Sequence, residues 1–285
     1  MNILVTGANG QLGQAFKKVG FPALDEVFYT DVEELDITDL QAIEKFVQAN
    51  EIDTIINCAA YTAVDRAEEE PEAAMRINRD AVANLAEVAA QEACLLLHVS
   101  TDYVFDGNAA EPYTEKSRVN PQGVYGKTKL AGEQAVKTSG CLAIIVRTAW
   151  LYSEFGHNFV KTIRKAAREK GELKVVADQV GTPTYAADLA RAIVRILDSA
   201  DVADHTGIYH YSNEGICSWY DFAAEIVRQS GIDCKIDPVT TDQYPVKAKR
   251  PAYSVLDKTK IQKTFDVEVP AWQEALSRCL QGMEA

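Results

Sequence analysis

The first twenty residues, MNILVTGANGQLGQAFKKVG (1–20), set a short apolar run directly before a glycine-rich loop and then a helical pattern. Asn2–Thr6 reads as a buried strand. A helix follows over Gln11–Val19 and is closed by Gly20 beyond its last turn. Between them lies Gly7-Ala8-Asn9-Gly10-Gln11-Leu12-Gly13, spaced G-x-x-G-x-x-G. Glycines there allow a tight turn and close approach of the backbone to a pyrophosphate, and the helix start offers free N–H groups and a positive dipole end. Glycines also mark ordinary turns, so the placement between strand one and helix one carries the argument for dinucleotide binding.

The same alternation continues. Val27–Asp31 is the second strand, and Thr38-x-x-Gln41 reads as a capping box opening a helix to about Asn50. Thr54–Asn57 is the third strand, followed by helical spacing from about Pro71 through Ile77, Ala81, Leu85 and Val88. Leu95–Ser100 is the fourth strand, Val124–Thr138 a helix and Leu142–Arg147 the fifth strand. This order predicts an α/β fold of the Rossmann type, a doubly wound parallel sheet with helices on both faces. Residues 1–150 form the dinucleotide-binding domain. Residues 151–285 read mainly as a smaller, partly discontinuous substrate-binding domain, with some segments packing back on the first. Helices are expected near Asn158–Glu169, Tyr185–Asp198 and Trp219–Gln229. Asp233–Asp257, with Pro238, Pro245 and Pro251, is expected to be irregular.

Composition excludes several classes. At 285 residues and 47% hydrophobic content the chain buries a sizeable core as one or two domains. A formal net charge of −13 gives no surplus of basic groups for a nucleic-acid partner. The N-terminus lacks a charged region and a cleavage site, and no apolar run approaches a membrane span of ~20 residues. Six scattered cysteines without a C-x-x-C pair read as reduced thiols in a cytoplasmic protein. Four histidines without metal-ligand spacing give no support for a metal-centred hydrolase.

In such sheets the ligand lies beyond the carboxyl ends of the strands, and polar clusters occupy those positions. Asp31 ends the second strand, where a carboxylate accepts hydrogen bonds from an adenine-ribose hydroxyl and disfavours a 2′-phosphate; a solvated carboxylate is the alternative. Asp36 and Ile37 flank the same region. Tyr125 and Lys129, in Tyr125-Gly126-Lys127-Thr128-Lys129, stand at i, i+4 on one helical face. A phenol with a pKa near 10 becomes a useful acid–base group when an ammonium lowers it. Ser100-Thr101-Asp102 leaves the fourth strand, and Thr101, with Ser100 as second choice, is the hydroxyl that would hold a reacting carbonyl; a turn cap is the alternative.

Together these segments resemble the extended short-chain dehydrogenase/reductase superfamily and, within it, the dTDP-4-dehydrorhamnose reductases. The stretches carrying the resemblance are GANGQLG (7–13), NCAAYTAVDRAE (57–68), VSTDYVFDG (99–107), NPQGVYGKTKLAGE (120–133), RTAWLY (147–152), DQVGTPTYAADLA (178–190) and RPAYSVLD (250–257). The resemblance implies hydride transfer from NADH or NADPH to C4 of dTDP-4-dehydro-L-rhamnose, the last step of dTDP-L-rhamnose synthesis. It implies Tyr125, Lys129 and Thr101 as catalytic residues. Cofactor contacts would be Gly7, Gly10, Gln11, Leu12, Gly13, Asp31, Asp36, Ile37, Ala60, Tyr61, Thr62, Tyr125 and Lys129. Substrate contacts would be Thr101, Asp102 and Trp150; Trp150 reads equally well as core. Arg250 is added on charge alone. With Lys247 and Lys249 it forms a basic cluster suited to a diphosphate, and Pro251 holds its backbone extended.

Some relatives dimerise around Mg²⁺ held by carboxylates, one of them in the first helix. That stretch reads Gln14-Ala15-Phe16 here, and Asp188 alone does not make a hard-cation site, so no metal is expected. Partners are limited to a small nucleotide sugar, with no nucleic acid and no membrane, and the chain is a monomer or homodimer. Alternatives left open are another nucleotide-sugar reductase or epimerase of this superfamily, and a non-catalytic regulatory subunit of the same fold.

Overall fold

A computed structural model describes residues 1–244 and 247–284. Six parallel strands form the central sheet: β1 (Asn2–Thr6), β2 (Glu26–Thr30), β3 (Thr54–Asn57), β4 (Leu95–Thr101), β5 (Ala143–Thr148) and β6 (Gly207–His210), in the order 6-5-4-3-1-2. The chain winds outward from β1 in both directions, so the switch lies between β1 and β3.

The inner strands bury both faces, and neighbouring residues feed different cores. Ile3, Val5, Ile56, Leu97, Ile144 and Val146 pack on one side with helix α1 (Gln11–Val19) and helix α6 (Ala186–Leu197). Leu4, Ile55, Leu96 and Ile145 pack on the other with α2 (Leu40–Ala49) and α3 (Ala81–Gln91). The alternation is the period-two geometry of a strand, and it makes the runs read as continuously apolar. Helix α4 (Val124–Ser139) packs on the second side against α3, and helix α5 (Phe159–Lys170) lies in the other half of the chain.

The later half supplies a separate core. Helices α5, α7 (Trp219–Gln229) and α9 (Trp272–Glu284) surround Phe222, Trp272 and Leu276, while the shorter α8 (Thr259–Phe265) and α6 return to the main sheet. Thus β6 and α6, both beyond residue 150, complete the first layer structure.

Three local expectations are corrected. The second strand stops at Thr30, leaving Asp31 just outside it. Helix α2 is capped by Asp39, whose side chain accepts the Ala42 N–H, rather than by a Thr38–Gln41 box; Asp39 is one residue closer to the helical turn and is the stronger cap type. The segment Asp233–Asp257 is not wholly irregular, because Lys235–Val239 pairs in parallel with Glu172–Val176. Pro238 is tolerated there because this strand lies at the edge of a two-stranded sheet. Pro245 lies outside the described residues. Among the described residues no helix is long and apolar enough to cross a membrane.

Candidate active site

All six strands run the same way, so their carboxyl ends bring Thr6, Thr30, Asn57, Thr101 and Thr148 to one edge. The glycine loop leaves β1 at that edge. Gly7 has φ of +66°, and a Cβ there would stand 2.6 Å from the Ala59 nitrogen; a Cβ on Gly13 would meet the Ala8 backbone at 2.5 Å. Both glycines are therefore required by close packing of loop, strand β3 and helix. Gly10 is the N-cap of α1 and offers no side-chain cap, so the first-turn N–H groups of Gln11, Leu12 and Gly13 are left for an anion. The residues fit a dinucleotide pyrophosphate. The side chains of Gln11 and Leu12 are engaged elsewhere. Gln11 Oε1 accepts from Ser153 and Asn158, each at 3.0 Å, and Leu12 is core.

Asp31 braces this loop: one oxygen accepts the Asn9 N–H and the other the Val32 N–H, both at 2.9 Å. Asp36 accepts the Thr38 N–H at 2.8 Å, which with nearby Arg76 holds its carboxyl below the usual range. Ile37 is buried in the core below. Ala60, Tyr61 and Thr62 lie on the loop after β3, half-buried or exposed.

Two polar features were not legible in the sequence. Asn78 sits in a π-helical turn, Arg76–Asp80, with no exposure. Its side chain accepts the Tyr61 N–H, donates to the Tyr61 carbonyl and donates to Thr128 on α4. It thereby ties the cofactor-side loop to the helix carrying Tyr125 and Lys129; π-turns recur at functional sites, but their register is invisible in a helical pattern. A second row, Thr6–Asn57–His98, crosses β1, β3 and β4 through contacts of 2.8 and 3.1 Å, and burial holds His98 neutral.

Helix α4 begins at Gly123 without a side-chain cap of its own. Glu68 supplies one from a distance, accepting the Val124 N–H at 2.8 Å, where a carboxylate also suits the helix dipole. Gly126 allows the helix to approach the turn after β4: a Cβ there would lie 2.2 Å from the Tyr103 carbonyl oxygen. The Tyr125 side chain then faces the Thr101 hydroxyl. Thr101 Oγ1 in turn donates to Asp102 Oδ1 at 2.9 Å and accepts the Tyr103 N–H. Burial raises the Asp102 carboxyl to about 6, and its Oδ2 is buried with no partner.

Lys129 is buried and donates to the Val99 carbonyl at 2.7 Å. Burial brings its ammonium down to about 8, with Glu133 opposing. The expectation that Lys129 lowers the Tyr125 phenol is corrected: burial dominates and pushes Tyr125 up to about 12, with the nearby Thr101 hydroxyl opposing. The second choice for the carbonyl contact, Ser100, is also corrected. Its hydroxyl faces the opposite way and donates to Glu133 at 2.6 Å, as alternation along a strand requires of neighbours.

Trp150 is half-buried, with a positive φ of 48° that a bulky residue adopts only under constraint. Its ring stacks on Trp219 with centroids 3.5 Å apart. Arg250 is not the free cation of a basic cluster: it grips Asp65 bidentately at 3.0 and 2.6 Å, and Lys247 pairs with Glu69. Lys249 and Arg250, with Tyr103, Phe105, Asp106 and Gln122, line a cavity of about 70 Å³ beside the site. Asp188 does not lie on a solvated face. It is buried and held by Arg191, Arg278 and Asn213. Among the described residues no group of three or more metal-ligating side chains comes together.

The whole chain, residues 1–285, matches the family described as RmlD substrate binding domain. It is 42% identical to the dTDP-4-dehydrorhamnose reductase of Aggregatibacter actinomycetemcomitans, covering 96% of each chain. Its structure is similar to that of a dTDP-4-dehydrorhamnose reductase from Clostridium acetobutylicum, with a TM-score of 0.95, 47% identity and full coverage of both chains. It is also similar to the Bacillus anthracis dTDP-4-dehydrorhamnose reductase in complex with NADP, with a TM-score of 0.94, 38% identity and 99% coverage of each.

Proposed function

The chain belongs to the RmlD substrate-binding-domain family, and from that premise we propose that it reduces the C4 keto group of dTDP-4-dehydro-L-rhamnose to give dTDP-L-rhamnose. The observation that carries this reading is the juxtaposition of Tyr125 and Thr101 on the same sheet edge as the glycine loop, with Lys129 anchored on the Val99 carbonyl one helical turn beyond Tyr125. A nicotinamide dinucleotide, when bound, supplies the hydride. Gly7, Gly10 and Gly13 admit its pyrophosphate to the start of α1, and Asp31 faces its adenine ribose.

The remaining chemistry belongs to the chain. Thr101 and Tyr125 together grip the keto oxygen, which orients the carbonyl. As negative charge develops on that oxygen, Tyr125 donates its phenolic proton to it. Lys129, fixed by the Val99 carbonyl, holds the ribose hydroxyls of the cofactor and stabilises the resulting phenolate. A phenol at about 12 is matched to an alkoxide, so it need not ionise beforehand. Asp102 Oδ2 accepts a sugar hydroxyl, Trp150 forms an apolar wall for the sugar, and Arg250 meets the diphosphate. In this scheme residues 1–150 carry most of the cofactor site and residues 151–285 most of the substrate site.

Asp31 favours NADH, because a 2′-phosphate would meet like charge; the NADP complex of the Bacillus anthracis relative supports NADPH as well. The test is to supply purified protein with dTDP-4-dehydrorhamnose and each reduced cofactor and follow nicotinamide absorbance. Stoichiometric oxidation of the cofactor is expected. Sugar conversion without net oxidation would favour an epimerase, and no turnover would favour a regulatory subunit.

A further inference from the structure

Behind Tyr125 and Lys129 lies an ion pair with almost no access to water. Glu133 is 0% and Arg147 1% exposed. Arg147 Nε donates to Glu133 Oε1 at 2.8 Å and its second nitrogen to Oε2 at 2.6 Å. Ser100 donates to the same Oε1 at 2.6 Å. Glu133 follows Lys129 by four residues and Tyr125 by eight, so all three lie along one face of α4. Ser100 precedes Thr101 on β4, and Arg147 is its register partner on β5.

The guanidinium also stacks over Phe105 at 5.1 Å, and Phe105 lies in the turn leaving Thr101. One network therefore touches the helix bearing the acid and base, the strand bearing Thr101, and the turn after it. Replacing a buried ion pair by apolar residues is often neutral or stabilising, so stability does not account for it. A bidentate pair with a third donor does fix distance and angle, which loose apolar contacts do not.

We propose that Glu133, clasped by Arg147 and Ser100, is a positioning group for this reaction: it locks helix α4 to strand β4 so that Tyr125 and Lys129 meet Thr101 in the reactive geometry. This rests on the reductase reading above. The charge of Glu133 also opposes the effect of burial on the Lys129 ammonium. The other groups around Lys129 and the pair offer no competing charge near neutral pH. His98 and His210 are held neutral by burial, Cys58 is a thiol pushed up to about 12, and Tyr125 is protonated. Asp102, near 6, is a further carboxylate at the site.

The test compares Ser100→Ala, Glu133→Gln and the charge-neutral double variant Glu133→Gln/Arg147→Met, using thermal melting, kcat, both KM values and the pH profile. The double variant removes both charges of the Glu133–Arg147 pair together, so neither is left unpaired by loss of the other, and guards against simple misfolding of Glu133→Gln. The folded double variant is expected to lose about 10²-fold in kcat, the scale of an ångström of misplacement, with the sugar KM little changed. Its basic limb should also move to lower pH, because Lys129 has lost its carboxylate. Ser100→Ala should lose several-fold in kcat with an unchanged basic limb. Cofactor affinity titrated against pH reads the same shift of Lys129 without turnover. If the wild type does not reduce the sugar, the functional reading fails while this titration still judges the pair. Wild-type kcat together with a wild-type basic limb in the folded double variant, or an unshifted cofactor titration, overturns the proposal.

Discussion

The hydroxyls of Tyr125 and Thr101 face one another across the gap between helix α4 and the end of strand β4. Neither element alone could place them so. Gly126 lets the helix approach the Tyr103 carbonyl, and Glu68 pins the helix start. In the proposed reaction the pair would define where a substrate oxygen sits, with a proton donor and a second hydroxyl directed at one atom.

Tyr125→Phe keeps the ring and removes the donor. We expect kcat to fall by about 10²–10⁴-fold, the usual contribution of a general acid, with cofactor affinity nearly unchanged. Steady-state kinetics beside fluorescence titration of the reduced cofactor checks both; retention of most activity would exclude Tyr125 as the donor.

Gly126→Ala tests the close approach itself. The added methyl must displace the Tyr103 carbonyl from 2.2 Å, and overpacking of this kind costs about 1–3 kcal/mol. Melting should show that loss, and kcat should fall because Tyr125 moves with the helix. An unaltered protein would mean that the helix start yields freely.

Asp31 has two tasks, and a substitution separates them. Asp31→Ala should raise the preference for NADPH over NADH by removing like charge from the 2′-phosphate position. It should also cost about 1–3 kcal/mol in stability if the Asn9 N–H is left unpaired. Measuring kcat/KM with each cofactor decides the first: an unchanged ratio would leave Asp31 only its bracing role.

The pH dependence follows from two buried groups. Lys129 sits at about 8 against an ordinary 10.5. Between those values the unfolded chain holds a proton that the native chain has released, so stability rises with pH through that window. Activity should move oppositely, falling above about pH 8 as the ammonium is lost. Asp102 behaves in the other sense. Its folded value near 6 exceeds the ordinary 3.8, so its contribution is present at low pH and is lost as pH rises through that range. Asp102→Asn should flatten the melting temperature between pH 4 and 6, and Lys129→Met should flatten it above pH 8. Unaltered pH profiles of melting would refute these assignments.

The Asp65–Arg250 pair makes the diphosphate compete with a carboxylate for the guanidinium. Arg250→Ala should raise KM for the nucleotide sugar with little effect on KM for the cofactor. Asp65→Asn should lower the sugar KM by freeing the fork. Equal losses for both substrates would indicate a folding defect, and no change in either variant would place the pair outside substrate binding.

The sequence by itself determined the architecture of the first half. Apolar runs such as Ile3–Val5 and Ile55–Ile56 alternate with helical periods, and a parallel sheet buried on both faces is the arrangement that hides both. It also brought Gly7, Asp31 and Thr101 to one sheet edge, because parallel strands carry their ends to the same side, and it paired Tyr125 with Lys129 through helical spacing. Only the tertiary structure decided which way neighbouring polar groups face. Ser100 turns to Glu133 while Thr101 turns to Tyr125, Arg250 is taken by Asp65, and Asn78 joins two loops from a π-turn. It also brought in β6 from beyond residue 200 to complete the sheet. Such partners are set by long-range packing, and a buried donor or acceptor takes whichever complement the folded chain brings within reach, however far away it lies in sequence.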